Sequence, residues 1–287
     1  MKFPFKIIAG TLVVASFAGL NLSGCSGDNH VKILTNNVGQ ENTQTVQWNE
    51  ISKGLSYANI LATPSNSNRK EFFVVKIDPK LFEFKIYNNQ DQKTAKNLKQ
   101  IHEEKKSLLT FNGAFFDESF KAMGLLQDED STSHKQSNSE LMNGVFFVGE
   151  KANESDKKIP AGLSELNTTP NQKNWFMIQN GPILVNNAGD IPLTKDTGKL
   201  AARTAIGIDK EGNIIVIILH QSLLNTDNTL SLYQFAHLLK ENAIFKPMEL
   251  HSVLNLDGGP STGIVIQNEY IPELNSIQNA VFTVPRA

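Results

Sequence analysis

Cysteine is almost absent: Cys25 is the single one in 287 residues. No intrachain disulfide can form, so stability has to come from a packed core, and the chain is long enough to bury a large one. Excess positive charge is missing too, with a net charge of −2 and a sequence pI of about 6.3. Nucleic-acid binders usually carry a basic patch or stripe, so nucleic acid is not an expected partner. No internal repeat is visible. No His/Asp cluster has metal-ligand spacing; Asp128 and Asp130 are spaced as in a calcium loop, but the glycine of that loop is missing. No cofactor is expected on these grounds, with a divalent metal left open. Long apolar runs are confined to one place, Ile7 to Leu22.

That run follows Lys2 and Lys6 and ends in small residues, the layout of a secretory signal rather than a membrane span. Its end reads Leu22-Ser23-Gly24-Cys25, which resembles a bacterial lipobox. Residues 1–24 are therefore expected to be removed and Cys25 to be lipidated, anchoring the protein in a membrane of the bacterial cell envelope. Ser26 rather than aspartate follows, which in a Gram-negative cell favours the outer membrane, facing periplasm or surface. Residues 25–45 are polar and read as a tether. Residues 46–287 hold the folded domain.

Within that domain the pattern is mainly strands. Glu71–Asp78 and Leu81–Tyr87 are rich in β-branched and aromatic residues and read as antiparallel partners. Thr94–Lys106 has helical spacing, with His102 beside its apolar stripe in a packing or capping role. Gln127–Glu140 and Lys151–Asn174 are polar and read as surface segments. Trp175–Asn186 is a strand broken at Pro182, which predicts a bulge or an edge. Arg203–Asp209 and Ile214–Leu219 form a hairpin, and Ser231 caps a helix carrying Leu232, Phe235, Ala236 and Leu239. Ile264–Ile271 and Val281–Val284 complete the strands. Hairpins and meanders predominate, so the expected class is α+β: one domain with a mostly antiparallel or mixed sheet core and a few packed helices.

Four segments share a layout of strand, glycine-containing turn or strand start, and polar residue. They are Asn112-Gly113, Gln179-Asn180-Gly181-Pro182, Arg203-Thr204, and Asp257-Gly258-Gly259-Pro260-Ser261-Thr262. A tight turn between two strands would use the same residues, and an arginine at a strand start is commonly a surface charge. Together they also suit a site. A strand ending in Asp257 presents a carboxylate at a sheet edge. Main-chain N–H groups of a glycine turn can cradle an anion, Ser261 and Thr262 add hydroxyls, and a guanidinium matches phosphate or carboxylate.

The wording and order of Asn112-Gly113-Ala114-Phe115-Phe116, Gly181-Pro182, Arg203-Thr204-Ala205-Ile206-Gly207 and Asn255-Leu256-Asp257-Gly258-Gly259-Pro260-Ser261 resemble the phosphodiester glycosidase family, over roughly Phe72 to Val284. Family members commonly have glycine where this chain has Ala114 and Pro260, and Pro260 removes one N–H donor from the turn. The resemblance implies hydrolysis of a sugar-1-phosphodiester to a sugar and a phosphomonoester. It makes Asp257, Arg203 and Asn112 the expected catalytic residues. Gly113, Gly181, Thr204, Gly258, Gly259, Ser261 and Thr262 become the expected substrate- or phosphate-binding ones. Asp257 would stabilise positive charge at the anomeric carbon or activate water, Arg203 would hold the phosphate, and Asn112 would bond a sugar hydroxyl. Two alternatives stay open: a non-catalytic lipoprotein binding envelope glycan or a protein partner through the same cleft, and a purely structural lipoprotein.

Overall fold

Period-two patterning of apolar residues lays down three sheets, seen in a computed structural model that describes residues 46–286 except 66–67, 90–94, 131, 152–158 and 222–224. The expected signal, Cys25 and tether lie outside the described residues, as does Thr94. In chain order the first elements are β1 (Asn49–Ser52), β2 (Leu55–Ala62), β3 (Lys70–Ile77), β4 (Phe82–Asn88), α1 (Leu98–Lys105) and β5 (Leu109–Asn112). Next come β6 (Leu126–Gln127), β7 (Thr132–His134), β8 (Gly144–Val148), β9 (Ala161–Glu165), β10 (Phe176–Asn180) and β11 (Ile183–Val185). The last third contributes β12 (Arg203–Asp209), β13 (Ile214–Leu219), α2 (Leu232–Glu241), β14 (Leu250–Asn255), β15 (Ile264–Ile266), β16 (Glu269–Ile271) and β17 (Asn279–Pro285).

One sheet has seven strands, in the order β1-β2-β3-β13-β12-β14-β11; two more have five each, β7-β6-β10-β8-β9 and β16-β15-β5-β17-β4. Every pairing among the described strands is antiparallel. With two helices packed on the sheets, this is the expected α+β architecture. Among the described residues no helix is long and apolar enough to cross a membrane.

The uninterrupted apolar run of β13 is explained by burial on both faces. Ile214, Val216 and Ile218 face the core shared by all three sheets, while Ile215, Ile217 and Leu219 face the layer under α2. The α2 helix begins in a capping box built by Ser231 and Gln234, and it buries Phe235, Ala236, Leu238 and Leu239. Phe235 stacks on Phe72 at 6.2 Å, and Phe245 meets the same ring edge-on at 5.3 Å. Against the third sheet, α1 buries Leu98 and Ile101 beside Val265, Ile277 and Ala280. His102 packs where expected, its Nδ1 3.0 Å from Ser107 Oγ and 3.2 Å from Thr110 Oγ1.

Three expectations change. β3 and β4 are not partners: β3 lies between β2 and β13, and β4 pairs with β17 in another sheet. The reason is coverage. β3 is apolar on both faces and needs a central place, whereas half-polar β4 suits an edge. The surface segments Gln127–Glu140 and Lys151–Asn174 supply edge strands β7 and β9. An edge strand with a solvated side needs few apolar residues, so its pattern is weak. Ile264–Ile271 is a hairpin, β15 and β16, rather than one strand. Asp128 serves the fold: its carboxylate accepts Ile86 N–H at 2.7 Å and Asp130 N–H at 3.1 Å.

Replacing Phe72 by alanine is expected to lower the unfolding free energy by about 3–5 kcal/mol, read from urea unfolding. A loss below about 1 kcal/mol would show that the layer under α2 is not packed as described.

Candidate functional site

The chain leaves β14 through buried Leu256 and reaches Asp257 at a point where two backbone bonds hold it. Leu256 N–H donates to Thr204 O at 2.9 Å, and Asp257 N–H to Gly113 O at 3.1 Å. The acid is thereby set between β12 and the turn after β5. Asn112, at the end of β5, locks the arrangement. Its Nδ2 donates to Asp257 O at 2.7 Å. Its Oδ1 accepts from Thr204 Oγ1 at 2.7 Å and from Gly263 N–H at 3.2 Å. Asn112 is 1% exposed and Thr204 0%, so both act here as a latch, and the amide expected to meet a sugar hydroxyl is already engaged. Gly113 follows because there is no room for a side chain: a Cβ would lie 2.1 Å from Asn279 Oδ1. That oxygen accepts Ala114 N–H at 2.6 Å, and Asn279 Nδ2 donates back to Ala114 O at 3.1 Å.

Asp257 is partly exposed as a residue, but its carboxyl group is largely buried. Desolvation by the surrounding protein pushes its pKa up to about 6, against smaller opposing effects from hydrogen bonds with Ser261 and the Gly258 N–H. The Gly258 bond is 2.9 Å. Gly258 must be glycine because a Cβ would lie 2.8 Å from Ala202 O and 3.8 Å from Arg203 Cα. The turn does not form the expected N–H cradle. Gly259 N–H goes to Ala202 O, Ser261 N–H to Gly258 O and Thr262 N–H to Gly259 O. Pro260 has no N–H, and Gly258 serves Asp257 itself. Polar capacity for a ligand therefore rests on side chains.

Arg203 stands beside this turn through its backbone, but its side chain leaves the opposite face of β12 from Thr204. Alternation puts it with Ala205, in the layer under α2. Nε donates to Leu230 O at 2.9 Å and Nη2 to Lys199 O at 2.7 Å. The residue is 9% exposed, burial lowers its pKa to about 10, and among the described residues no carboxylate pairs with it. A buried cation held only by carbonyl oxygens leaves its charge uncompensated.

His220, which follows β13, is a site residue that sequence reasoning passed over. Leu219 pairs with Arg203 across the hairpin, which brings His220 to the same sheet end. Burial lowers its pKa, against a smaller opposing effect of a hydrogen bond to the Thr262 backbone. His220 Nδ1 and Thr262 Oγ1 are both buried without a hydrogen-bond partner among the described residues. The signal available in sequence was a histidine ending a strand that pairs with Arg203-Thr204; register alone made it informative.

Asn112, Gly113, Thr204, Asp257, Gly258 and Ser261 thus touch one another. Gly259 joins through Ala202, Thr262 through its bond with Gly259, and Gly181 through its carbonyl, which accepts Asn255 Nδ2 at 2.8 Å. At Pro182 the chain passes from the second sheet to edge strand β11, whose register with β14 shifts between Ile183 and Val185. Gln179 is structural: it bonds the backbones of Leu125, Ser137 and Met142. Among the described residues no three His, Cys, Asp or Glu side chains gather as a metal site.

Fold and site define an antiparallel α+β domain that presents one strand-end carboxylate where its sheets meet. The chain belongs to the phosphodiester glycosidase family, whose model matches residues 105–287. The structure is similar to the zebrafish N-acetylglucosamine-1-phosphodiester alpha-N-acetylglucosaminidase catalytic domain auto-inhibited by its pro-peptide. That similarity has a TM-score of 0.60 and 17% identity over 83% of this chain and 86% of that one. A hypothetical protein from Synechocystis also matches, with a TM-score of 0.55 and 14% identity over 84% of this chain. The chain spans 64% of the length of that protein. At these identities the similarity establishes the fold. A search of curated proteins gives no match.

Because the Asp257 pKa is raised in the folded state, the native protein holds a proton that the unfolded chain has lost between about pH 4 and 6. Stability contributed here is present at low pH and falls as pH rises through that window. Asp257→Asn is expected to raise stability by about 1–3 kcal/mol near pH 7.5 and to change it little near pH 4, read from thermal melts at both values. A destabilised variant near pH 7.5 would contradict the assigned desolvation.

Proposed function

We propose that this protein is a lipid-anchored envelope hydrolase that cleaves a sugar-1-phosphodiester into a sugar and a phosphomonoester. One observation carries the reading: a desolvated carboxylate, Asp257, with its pKa pushed up to about 6, stands at a strand end where Asn112 and Gly113 hold its backbone. Family membership supplies the hydrolase class, and the name of the zebrafish enzyme supports a sugar-1-phosphodiester as substrate. Asp257 meets positive charge developing at the anomeric carbon or takes a proton from water; the Arg203 guanidinium, on the far face of β12 and bound to Leu230 O and Lys199 O, is not placed to contact the diester phosphate. Asn112 and Thr204 act as positioning residues, since their polar atoms hold the backbone that carries Asp257. His220 bonds the Thr262 backbone, and His220 Nδ1 and Thr262 Oγ1 are buried without hydrogen-bond partners among the described residues. The lipobox-like Leu22-Ser23-Gly24-Cys25 supports the anchor and an envelope location.

A second reading is binding of an envelope glycan without turnover. The turn favours it specifically, because Pro260 and the committed N–H groups leave no backbone cradle for a phosphate.

Against a panel of sugar-1-phosphodiesters, Asp257→Asn is expected to lower kcat by about 10²–10⁴-fold. Arg203→Ala is expected to lower stability with no specific rise in KM, because the guanidinium is committed to Leu230 O and Lys199 O on the far face of β12. In the wild type kcat/KM should rise with pH through about 6 as Asp257 ionises. A wild-type rate in Asp257→Asn would remove the assignment; saturable glycan binding with no product at any pH or metal would establish the second reading. Cys25→Ser should move the protein from the membrane to the soluble fraction, and unchanged membrane association would exclude the anchor.

A further inference from the structure

We infer that the protein carries a binding site for a neutral saccharide around Trp48, at the far end of the seven-stranded sheet from Asp257. The inference goes beyond the hydrolase reading and uses none of the residues of that site.

Strand alternation sets the place. Lys76 shares a face of β3 with Phe72 and Val74, the face that packs under α2. Across the ladder it stands between Ser56 on β2 and Ile215 on β13. The Trp48 ring lies at this row, packed against the edge of the α2 layer, with Lys76 Nζ 5.2 Å from its centroid. Two clefts adjoin here, and Trp48 and Lys76 line both. One has a volume of about 450 Å³, with Val46, Pro247 and Met248 on its apolar side and Asp209, Lys210 and Glu249 on its polar side. The other, about 330 Å³, is lined by Glu50, Ser52 and Ser56. Both volumes suit a small-molecule site.

Some polar groups in these walls are already engaged. Asp209 accepts from Asn213 N–H at 2.8 Å and from Asn213 Nδ2 at 2.9 Å, and Lys210 pairs with Glu249 at 2.5 Å. Two are not. Among the described residues Lys76 makes its charge contact with the Trp48 ring alone. Ser52 Oγ is buried and has no hydrogen-bond partner among the described residues. The register of β1 with β2 shifts between Glu50 and Ser52, an irregularity of the kind that re-aims side chains beside sites.

The ligand class follows from these walls. Their carboxylates outnumber Lys76 and Lys210, which disfavours an anion. An alkyl chain would leave the Ser52 hydroxyl and the Lys76 ammonium without partners. A sugar ring meets both demands. Its C–H face lies on the indole, and its hydroxyls accept from Lys76 and bond Ser52. The Lys76 stem is flexible, so the ammonium can leave the ring for a sugar oxygen. Asp209 ends β12 at this cleft and Arg203 begins it beside the Asp257 turn, about 20 Å apart at about 3.3 Å per residue. A sugar at Trp48 therefore does not touch Asp257, and the site holds glycan without reacting with it.

Trp175→Phe leaves Trp48 as the sole tryptophan and keeps an aromatic ring against Phe147, so fluorescence then reports the cleft. Chitotetraose, maltotetraose and mannotetraose are titrated into the full chain with this substitution. At least one is expected to change the emission saturably, with the same affinity in the wild type by calorimetry. Trp48→Ala is expected to weaken that binding by about tenfold or more. Ser52→Ala should weaken it by about threefold with no loss of thermal stability, because the hydroxyl removed has no partner. Where Trp48→Ala does not fold, Ser52→Ala carries the test, and unchanged affinity in it overturns the inference. So does saturable binding of none of the three sugars, or unchanged affinity in a folded Trp48→Ala. Saturation by spermidine without any response to sugars would make the acidic walls a polycation site and also overturn it. Sugar binding lost in Trp48→Ala, with no sugar-1-phosphodiester hydrolysed by the wild type, would uphold this site and remove the hydrolase reading.

Discussion

A single buried amide, that of Asn112, holds the place where the sheets converge. It belongs to β5 of the third sheet. Its partners are Thr204 on β12 and the Asp257 carbonyl after β14, both from the seven-stranded sheet, and the Gly263 N–H leading into β15. Buried polar groups are costly when unpaired and rigidifying when satisfied, so these bonds set the spacing of the segments that meet there. The Gly113–Asn279 contact depends on the same spacing, because nothing larger than hydrogen fits between the turn and the Asn279 side chain. Asn255 extends the pattern to the second sheet by donating to Gly181 O.

Around this latch the charged groups are arranged against stability. Asp257 is desolvated and not relieved by a cation; Arg203 is buried and not relieved by a carboxylate. Pairing them would lower the Asp257 pKa and neutralise Arg203, yet the Arg203 side chain turns to the face of β12 that packs under α2 and no ion pair joins the two. The separation preserves a carboxylate with an elevated pKa at the strand end.

Much of this was legible in the residues. The β12–β13 hairpin, the Ser231 cap and the edge at Pro182 follow from local chemistry, and the structure has each of them. Asp257 could be read as a strand-end acid because an apolar run leads into it and glycines follow. Weakly patterned edges could not be read: β7 and β9 face solvent on one side and leave little periodic trace. The partners of β3 and β4 were misjudged because proximity in sequence suggested a hairpin, whereas burial on both faces pulled β3 to the centre of another sheet.

The sequence by itself determined the α+β class, most of the strands, the family, and the list of polar residues at strand ends. The class, the strands and the strand-end residues follow from short-range periodicity and turn chemistry, which need no knowledge of neighbours; the family follows from the resemblance of its motifs. Only the tertiary structure decided what those residues do. It turned Asn112 and Thr204 into a latch, used up the N–H groups of the Gly258–Thr262 turn, sent the Arg203 side chain to the far face of β12 and brought His220 to Thr262. Register across paired strands and desolvation by distant segments set these outcomes, and both arise from contacts between residues far apart in the chain.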